Sequence, residues 1–257
     1  MELRSRKIID VRVDDVTTEE TIRWIEYFLE KESNLPGIIM TLNPDRFLMA
    51  RRDQTYKRIV NSAKLVTNDG IGISLAAKIL GVPLRTRVTG ADLVFRFAEL
   101  SAKKSYGIYI LGARPGIAME AVQNLSALYP GSKFVGAHHG YFQDGSVEEK
   151  VILEEIVQLR PHILILAVGA PREELWFDKH LKKLKIPLGI GVGAGIDFAA
   201  GRIKRAPRLV RMFGLEWIIR FVKEPRRLWR RYLIGNLIFM LIIIRHRLFF
   251  SNQKGEL

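Results

Sequence analysis

Short apolar runs alternate with longer amphipathic segments along the first 200 residues of the chain. The apolar runs are predicted to be strands, and they lie at 37–42, 64–67, 107–111, 133–137, 162–168 and 187–193. Segments with helical periodicity separate most of them, at 45–62, 90–103, 116–128, 147–159 and 171–184. Strands that are apolar on both faces and alternate with helices are typical of a parallel sheet covered on both sides. The pattern therefore predicts an α/β fold with a mostly parallel sheet.

A capping box predicts one more helix near the start of the chain. Thr17 and Glu20 stand at the spacing at which each side chain bonds the other residue's backbone N–H. Val16 occupies the position of the apolar residue that packs against the first turn. The amphipathic pattern continues to Lys31, where we expect this helix to end.

The segments that follow the predicted strands are small, polar and rich in glycine. In parallel α/β sheets, ligands bind beyond the carboxyl ends of the strands, so functional side chains are expected there. Glycine lets the backbone approach a phosphate closely. The segments are "TLNPD" (41–45), "TNDG" (67–70), "LGARPG" (111–116), "GAHHGYF" (136–142), "VGAPREE" (168–174) and "GVGAGIDF" (191–198).

Asp69 is the one carboxylate that follows a short apolar strand and precedes a Gly-rich helix start. A carboxylate held there by its neighbours can act as a general base and remove a proton from an attacking hydroxyl. Asn-Asp-Gly is also good turn chemistry, so a purely structural role is the alternative.

The predicted strand at 37–42 precedes the one that leads to Asp69. Thr41 and Asn43 lie at its end and can hydrogen-bond sugar hydroxyls or amides. Asn43 precedes a proline and also serves to start a helix. Gly112, and Gly169 with Pro171, come at strand ends where free backbone N–H groups can meet a diphosphate.

The "HHGYF" segment offers His139 as a proton shuttle and Tyr141 as an aromatic that stacks on a base. A structural role is the alternative for both residues. Paired histidines without a third ligand are poor evidence for a metal site, and the chain has no cysteine for thiolate ligands or disulfides. We expect neither a metal nor another cofactor.

The chain carries a net charge of +14, of which +11 lies in residues 202–257. A surplus placed in this way indicates a polyanionic partner for that segment, such as lipid head groups, phosphorylated substrates or nucleic acid. We therefore predict a core from 1 to 201 and a basic C-terminal appendage from 202 to 257. The N-terminus lacks the apolar core of a secretory signal, which favours residence in the cytoplasm.

The appendage combines arginines at helical spacing with tryptophans and an apolar run at 232–244. The arginines that form these stripes include Arg220, Arg227, Arg230 and Arg231. A solvated basic face would explain the arginines but not the tryptophans. The apolar run is shorter than the roughly 20 residues that cross a bilayer. An interfacial helix on an anionic membrane fits this composition, with a buried helix or a contact in a homo-oligomer as alternatives.

Eight motifs in a fixed order resemble the WecG/TagA/CpsF family, glycosyltransferase family 26, over about residues 8–232. They are "TLNPD", "NDG", "RVTGADL", "LGA", "HHGYF", "GAPREE", "GIDFAAGRIKRAP" and "EPRRLWRRY". The resemblance implies a Rossmann-like, metal-independent enzyme that moves a sugar from a UDP-sugar with inversion. The implied acceptor is a lipid-diphosphate-linked sugar at the cytoplasmic face of a bacterial membrane, in teichoic-acid-type or related polymer synthesis. Donors in the family include N-acetylmannosamine, N-acetylmannosaminuronic acid and glucose.

The resemblance also implies roles for individual residues. It implies that Asp69 is the base and that Thr41 and Arg87 belong to the site. It also implies that C-terminal arginines reach the diphosphate. These arginines are Arg220, Arg227, and Arg230 or Arg231. Two positions depart from the usual family pattern: Asn68 stands before the "DG" aspartate, and Glu173 stands where a glutamine is common. A negative charge at Glu173 beside a diphosphate would disfavour an acidic donor sugar, unless Glu173 pairs with Arg172 or faces away from the site. We therefore expect a neutral donor.

Two functions of other classes are weighed against this one. A nucleic-acid-binding module would use the basic tail and bind DNA or RNA with strong salt dependence, but it would leave the rim motifs without a role. A dehydrogenase would use Gly189, Gly191 and Ala194, which match a dinucleotide fingerprint but follow the last strand instead of the first. We expect no nucleic-acid partner, and an inactive scaffold for polymer assembly is left open.

Overall fold

A six-stranded parallel sheet forms the centre of the protein, seen in a computed structural model that describes residues 3–32, 35–207, 210–211 and 214–252. Its strands are β3 (Gly37–Leu42), β4 (Leu65–Asn68), β5 (Gly107–Gly112), β6 (Lys133–His138), β7 (Ile163–Ala167) and β8 (Leu188–Gly191). Their order across the sheet is β4-β3-β8-β7-β5-β6. A separate antiparallel hairpin precedes them, formed by β1 (Ser5–Ile8) and β2 (Val11–Asp14).

Helices follow most strands and cover the sheet. In the core they are α1 (Thr18–Lys31), α2 (Pro44–Arg52), α3 (Gln54–Ser62), α4 (Ile71–Ile79), α5 (Gly90–Lys104), α6 (Ile117–Leu128), α7 (Val147–Leu159), α8 (Arg172–Leu184) and α9 (Gly195–Ala199). The C-terminal part contains α10 (Glu216–Lys223), α11 (Pro225–Trp229), a π-helical turn (Arg230–Gly235) and α12 (Asn236–Asn252). The predicted α/β fold is confirmed.

The strands are apolar on both faces because both faces are buried. In β5, Ile108 and Ile110 pack into one cluster of core residues, whereas Tyr109 and Leu111 pack into another on the opposite side. Successive side chains of a strand point to opposite faces, so this division follows from the geometry of the strand. Each predicted strand is present, within two residues at either end.

The starts of α1 and α3 show how local chemistry sets helix boundaries. Thr17 Oγ1 accepts from the backbone N–H of Glu20 at 3.1 Å, and Glu20 Oε2 accepts from that of Thr17 at 2.9 Å, which confirms the capping box. The single helix predicted at 45–62 is wrong, because Asp53 caps a second helix there. Its carboxylate accepts from the N–H groups of Thr55 and Tyr56 at 2.7 and 3.1 Å.

The C-terminal helix α12 packs against the core through one of its faces. Phe239 and Ile243 are fully buried, and the Phe239 ring meets the Phe47 ring of α2 edge to face, with the ring centroids 5.1 Å apart. Other large apolar side chains of α12 are exposed, among them Leu237, Leu241, Ile244 and Leu248. The helix therefore joins the core and also presents an uncovered apolar surface.

The helical run Pro225–Phe249 is longer than the apolar run recognised in the sequence. Its 25 residues are long and apolar enough to cross a membrane, judged by length and composition, and 11% of its most apolar window is buried within the protein. The apolar run at 232–244 therefore lies within a longer helical run that continues beyond it at both ends.

Candidate active site

A cavity of about 580 Å³ opens at the carboxyl ends of the neighbouring strands β4, β3 and β8. The core side of its lining includes Asn43, Asp69, Arg87 and Thr89. The segment after residue 201 supplies the opposite side, which includes Arg205, Arg211, Trp217, Arg231, Tyr232 and Met240. The basic C-terminal part of the chain therefore folds over the glycine-rich edge of the sheet. The division at residue 201 stays a prediction, since both parts share this cavity.

Asp69 lies at the tip of β4 with its carboxylate at the cavity. Its backbone N–H donates to the carbonyl of Leu42 at 2.8 Å, and its side chain accepts from the N–H of Gly90 at the start of α5. Burial raises the pKa of Asp69 above its ordinary value of 3.8. The charge of Arg46 opposes this rise, and the charge of Asp92 adds to it. A carboxylate with a raised pKa is a stronger base than an exposed aspartate.

Two glycines after Asp69 turn the chain from β4 into α4. Gly70 has a φ of 143°, a conformation that residues with a Cβ rarely adopt. A Cβ on Gly72 would lie 2.5 Å from Cγ of Pro44, so α4 starts in close contact with α2. The "NDG" sequence thus ends β4 and leads into α4, and this connection brings Asp69 to the cavity.

Among the described residues, four arginines line the cavity, and each contacts groups from another part of the chain. Arg87 Nη2 donates to the carbonyl of Arg211 at 2.7 Å. Arg231 pairs with Asp45 at 3.2 Å, and Arg205 pairs with Asp92 at 2.7 Å. These contacts connect the C-terminal segment to the first turns of α2 and α5. The result is a concave site rich in guanidinium groups, which suits a phosphorylated ligand.

One side of the cavity is apolar and aromatic. The Trp217 and Tyr232 rings lie with their centroids 5.5 Å apart, and Ile71, Leu75 and Met240 complete this side. Tyr232 and Met240 belong to the same helical run that carries the exposed apolar surface. The cavity thus joins a basic, polar region to an apolar region next to the C-terminal helix.

Asn43 lines the cavity, whereas Thr41 and Asn68 lie in the protein next to it. Asn43 Oδ1 accepts from the N–H of Arg46 at 3.0 Å, so it caps α2, as its place before a proline indicated. Thr41 is buried, and its Oγ1 accepts from Arg46 Nη1 at 3.1 Å. Asn68 is buried and donates to Ser74 Oγ at 2.8 Å.

Glu173 is fully buried beneath the rim and pairs with Arg46. Arg46 Nη2 lies 2.7 Å from Glu173 Oε2, and Arg46 Nε lies 2.9 Å from Glu174 Oε1. The other oxygen of Glu173 accepts from the N–H groups of Gly169 and Gly193 at 3.0 and 2.9 Å. The expectation that Glu173 disfavours an acidic donor loses its physical basis, because its charge is paired with Arg46 and its side chain does not line the cavity.

The protonation of this cluster follows from its burial and its charges. Burial raises the pKa of Glu173, and the neighbouring guanidinium of Arg46 opposes this rise. Burial alone would lower the pKa of Arg46, but Glu174 and Glu173 raise it well above its ordinary value. Arg46 therefore stays charged, and it holds α2, α8 and the loops after β7 and β8 together.

The other predicted residues lie outside the lining of the cavity. Gly112 ends β5, where an added Cβ would lie 2.5 Å from the carbonyl oxygen of Ala167. Gly169 and Pro171 belong to the loop held by Glu173, and the peptide bond before Pro171 is cis. Tyr141 is 65% exposed. The structure therefore brings together Asn43, Asp69, Arg87 and Arg231 from the predicted set.

Two of the remaining predicted arginines, Arg227 and Arg230, lie on the outer side of the C-terminal segment. Arg227 is exposed and pairs with Glu224 at 2.6 Å. Arg230 is exposed, and its guanidinium lies 5.3 Å from the centroid of the Trp229 ring. Arg220 belongs to α10, but its side chain lies outside the described part of the chain.

His138, His139 and Glu148 form a group whose potential ligand atoms lie within 4.8 Å of one another. Glu148 is the third side chain that the sequence did not reveal. His139 Nδ1 accepts from the N–H of Tyr141 at 3.3 Å, so neutral His139 carries its proton on Nε2. That nitrogen lies 3.5 Å from Glu148 Oε1. This group does not line the cavity.

Arg205, Arg211 and Asp92 line the cavity but were not singled out in the sequence. All three lie in or beside motifs that carried the resemblance, "RVTGADL" and "GIDFAAGRIKRAP". Reading those motifs residue by residue for charge would have marked Asp92 and Arg205. Nothing in the local pattern of the sequence indicates that these two side chains meet.

We expect Arg46→Ala to lower the free energy of unfolding by about 3–5 kcal/mol, because it leaves two carboxylates buried without their cation. Denaturant unfolding in mild detergent measures this change. Arg51→Ala is the matched control on the same helix. Its pair with Asp10 is partly exposed at 3.1 Å, so the loss should stay below about 1 kcal/mol. Equal, small losses in the two variants would contradict the role assigned to Arg46.

Comparison with known proteins identifies the family. The model of the glycosyl transferase WecG/TagA/CpsF family matches residues 6–253. A protein of Bacillus spizizenii is 28% identical over 202 residues, covering 79% of this chain and 77% of that protein. A protein of Staphylococcus aureus strain MW2 is 28% identical over 223 residues, covering 87% and 86%. Both are named N-acetylglucosaminyldiphosphoundecaprenol N-acetyl-beta-D-mannosaminyltransferase. The chain belongs to the WecG/TagA/CpsF family of glycosyl transferases.

Proposed function

We propose that this protein transfers N-acetylmannosamine, or a related hexose, from a UDP-sugar to an undecaprenyl-diphosphate-linked sugar. The names of the relatives support the class of acceptor and the transferred sugar. The observation that carries the proposal is the position of Asp69, a carboxylate with a raised pKa in a cavity lined by four arginines. The product would serve in the synthesis of a bacterial cell-surface polysaccharide or teichoic-acid-type polymer.

In this mechanism Asp69 acts as the general base. Its carboxylate takes the proton from the acceptor hydroxyl while that oxygen forms the new bond to the anomeric carbon of the donor. The bond from the anomeric carbon to the diphosphate oxygen breaks, and its electron pair leaves with UDP. Attack on the face opposite the leaving group inverts the anomeric centre. The N–H of Gly90 holds the Asp69 carboxylate in place.

Guanidinium groups take the role that a divalent cation has in many nucleotide-sugar enzymes. The leaving diphosphate gains negative charge as the glycosidic bond forms, and preorganised cations near it lower the barrier. Arg87 and Arg231 line the cavity with Asp69, and Arg231 is close enough to oppose the rise in the pKa of Asp69. This arrangement supports a metal-independent reaction.

The C-terminal segment would bind the cytoplasmic face of the bacterial membrane and place the cavity beside the acceptor lipid. Three exposed arginines, Arg226, Arg227 and Arg230, precede the exposed apolar side chains of α12. Basic residues next to an apolar helix face favour binding at an anionic lipid surface. The apolar side of the cavity, formed by Trp217, Tyr232 and Met240, continues into this helix and suits the lipid part of the acceptor.

Asp69→Asn should reduce kcat by about 10²–10⁴, because the amide cannot take up the proton of the acceptor hydroxyl. The measurement uses UDP-N-acetylmannosamine and a lipid-diphosphate-linked N-acetylglucosamine, with the product identified by mass spectrometry. Asp178→Asn serves as the control, since Asp178 pairs with Arg58 at the surface at 2.8 Å. Turnover of the Asp69 variant near that of the control would exclude Asp69 as the base.

The rate should fall at acid pH as Asp69 becomes protonated. The base works only when ionised, and its pKa is raised by burial above the ordinary 3.8. The midpoint of the acid side of the kcat profile should therefore lie above that value, with activity lost as the pH falls through it. A kcat that stays level down to pH 3.8 in a protein that remains folded would contradict this assignment.

Replacing Arg226, Arg227 and Arg230 by glutamine should weaken binding to anionic vesicles. Each basic side chain at a lipid surface contributes about 1 kcal/mol, so the loss should approach a factor of about 100. Sedimentation with phosphatidylglycerol vesicles measures the affinity at two salt concentrations. A variant with glutamine at Lys182, Lys183 and Lys185, which are exposed on the core, is the matched control. Equal binding by both triple variants would refute membrane binding through the arginines of the C-terminal segment.

A further inference from the structure

Asp92 occupies the first turn of α5 and contacts two arginines of the segment after residue 201. Its Oδ1 lies 2.7 Å from Arg205 Nη1 and 3.5 Å from Arg211 Nη1. Its Oδ2 accepts from Thr89 Oγ1 at 2.7 Å, which fixes the carboxylate at the cavity. One carboxylate therefore faces two guanidinium groups in the lining of the cavity.

Arg205 is held in place by contacts that do not depend on Asp92. Its guanidinium lies 5.6 Å from the centroid of the Phe95 ring and 5.5 Å from that of the Phe198 ring. The side chain is 18% exposed. Its Nε and Nη2 atoms are buried and make no hydrogen bond among the described residues, although Nε lies 3.6 Å from Glu216 Oε1. Arg205 is thus a preorganised cation beside the cavity, with the carboxylates of Asp92 and Glu216 next to its guanidinium.

The pairing of Asp92 with the two arginines resembles the pairing that a diphosphate would make. A carboxylate and a phosphate both present oxygens at the spacing that an arginine binds with two parallel hydrogen bonds. A ligand that carries two phosphates offers more oxygens and more charge than Asp92, so it can replace the carboxylate at both arginines. Asp92 stays bonded to Thr89 and recovers its arginine partners when the ligand leaves.

We propose that Arg205 and Arg211 form the subsite for the diphosphate of the nucleotide donor, and that Asp92 is the internal counter-ion which this diphosphate displaces. The inference rests on the proposed function and adds residues and a release step to the same site. Asp92 keeps the two arginines oriented while the cavity is empty. It also competes with bound UDP for them, which speeds the departure of the product.

Asp92 has a second effect on the reaction through Asp69. The negative charge of Asp92 contributes to the raised pKa of the base, together with the larger effect of burial. The nearby groups that oppose the rise are Arg46 and Arg231. Removing the charge of Asp92 should therefore move the acid side of the kcat profile to lower pH, a change that a purely structural role of Asp92 would not produce.

The test measures the binding of UDP and of inorganic pyrophosphate to the full chain in detergent by calorimetry. Arg205→Gln should weaken both probes about tenfold or more, because a charge-assisted pair is lost. Arg205→Lys keeps the charge and should give a smaller loss. Arg202→Gln is the matched control, since Arg202 lies three residues earlier and its ion pair with Glu120 is outside the lining of the cavity. It should bind both probes as the unchanged protein does.

Asp92→Asn should bind UDP and pyrophosphate several-fold more tightly, with stronger inhibition by UDP and the pH shift described above. A gain in affinity cannot come from misfolding, so this variant keeps the test decisive even if Arg205→Gln is unstable. The subsite is wrong if Arg205→Gln binds both probes as Arg202→Gln does, or if Asp92→Asn weakens binding. Failure of the unchanged protein to bind either probe also overturns it.

The experiments distinguish a failure of the proposed function from a failure of the proposed subsite. A protein that binds pyrophosphate in an Arg205-dependent manner but transfers no sugar to the lipid acceptor would retain the subsite and lose the assigned reaction. Full transfer activity combined with equal binding by the Arg205 and Arg202 variants would retain the reaction and lose the subsite.

Discussion

The buried ion pairs of Arg46 hold the rim of the site together. Arg46 starts from α2 and reaches Glu173 and Glu174 at the beginning of α8, while Glu173 also binds the N–H groups of two loops. Removing these charges from water is costly, and close pairing with further hydrogen bonds offsets that cost. The strand tips can therefore keep one relative position although they are built from glycine-rich turns. Asp69 at the next strand tip depends on that position for its contact with the cavity.

Much of the fold follows from local rules that a single sequence expresses. Runs that are apolar on both faces predicted the strands, and the capping box at Thr17 predicted the start of α1 correctly. The break at Asp53 was missed because the helical pattern continues across it. The partnership of Arg46 with Glu173 joins residues 127 positions apart, and no local pattern encodes which arginine a buried glutamate meets. The motif alone therefore left open whether Glu173 is paired, and it could not name Arg46 as the partner.

The C-terminal arginines illustrate the same limit. Helical spacing predicted stripes of arginines, but it could not tell which stripe faces the cavity. The turn at Arg230–Gly235 is π-helical, so side chains there depart from the spacing of an ordinary α-helix. Arg231 lies at the cavity beside Asp45, whereas Arg230 points outward beside Trp229. Adjacent arginines in one motif thus have different surroundings. Only the packing of α12 on the core determines which of them faces the cavity.

The position of the cavity suits the two substrates of the proposed reaction, which differ in polarity. A nucleotide sugar is soluble and highly charged, whereas a lipid-linked acceptor keeps its tail in the bilayer. A site formed only by the core would lie away from the lipid surface, and a site within the apolar helix would exclude the charges. Because Phe239 and Ile243 fasten α12 to the core, the cavity has the strand tips on one side and the C-terminal helix on the other. Under the proposed function, the excess of positive charge after residue 201 would have two uses: some arginines would bind phosphates inside the cavity, and others would bind the membrane outside it.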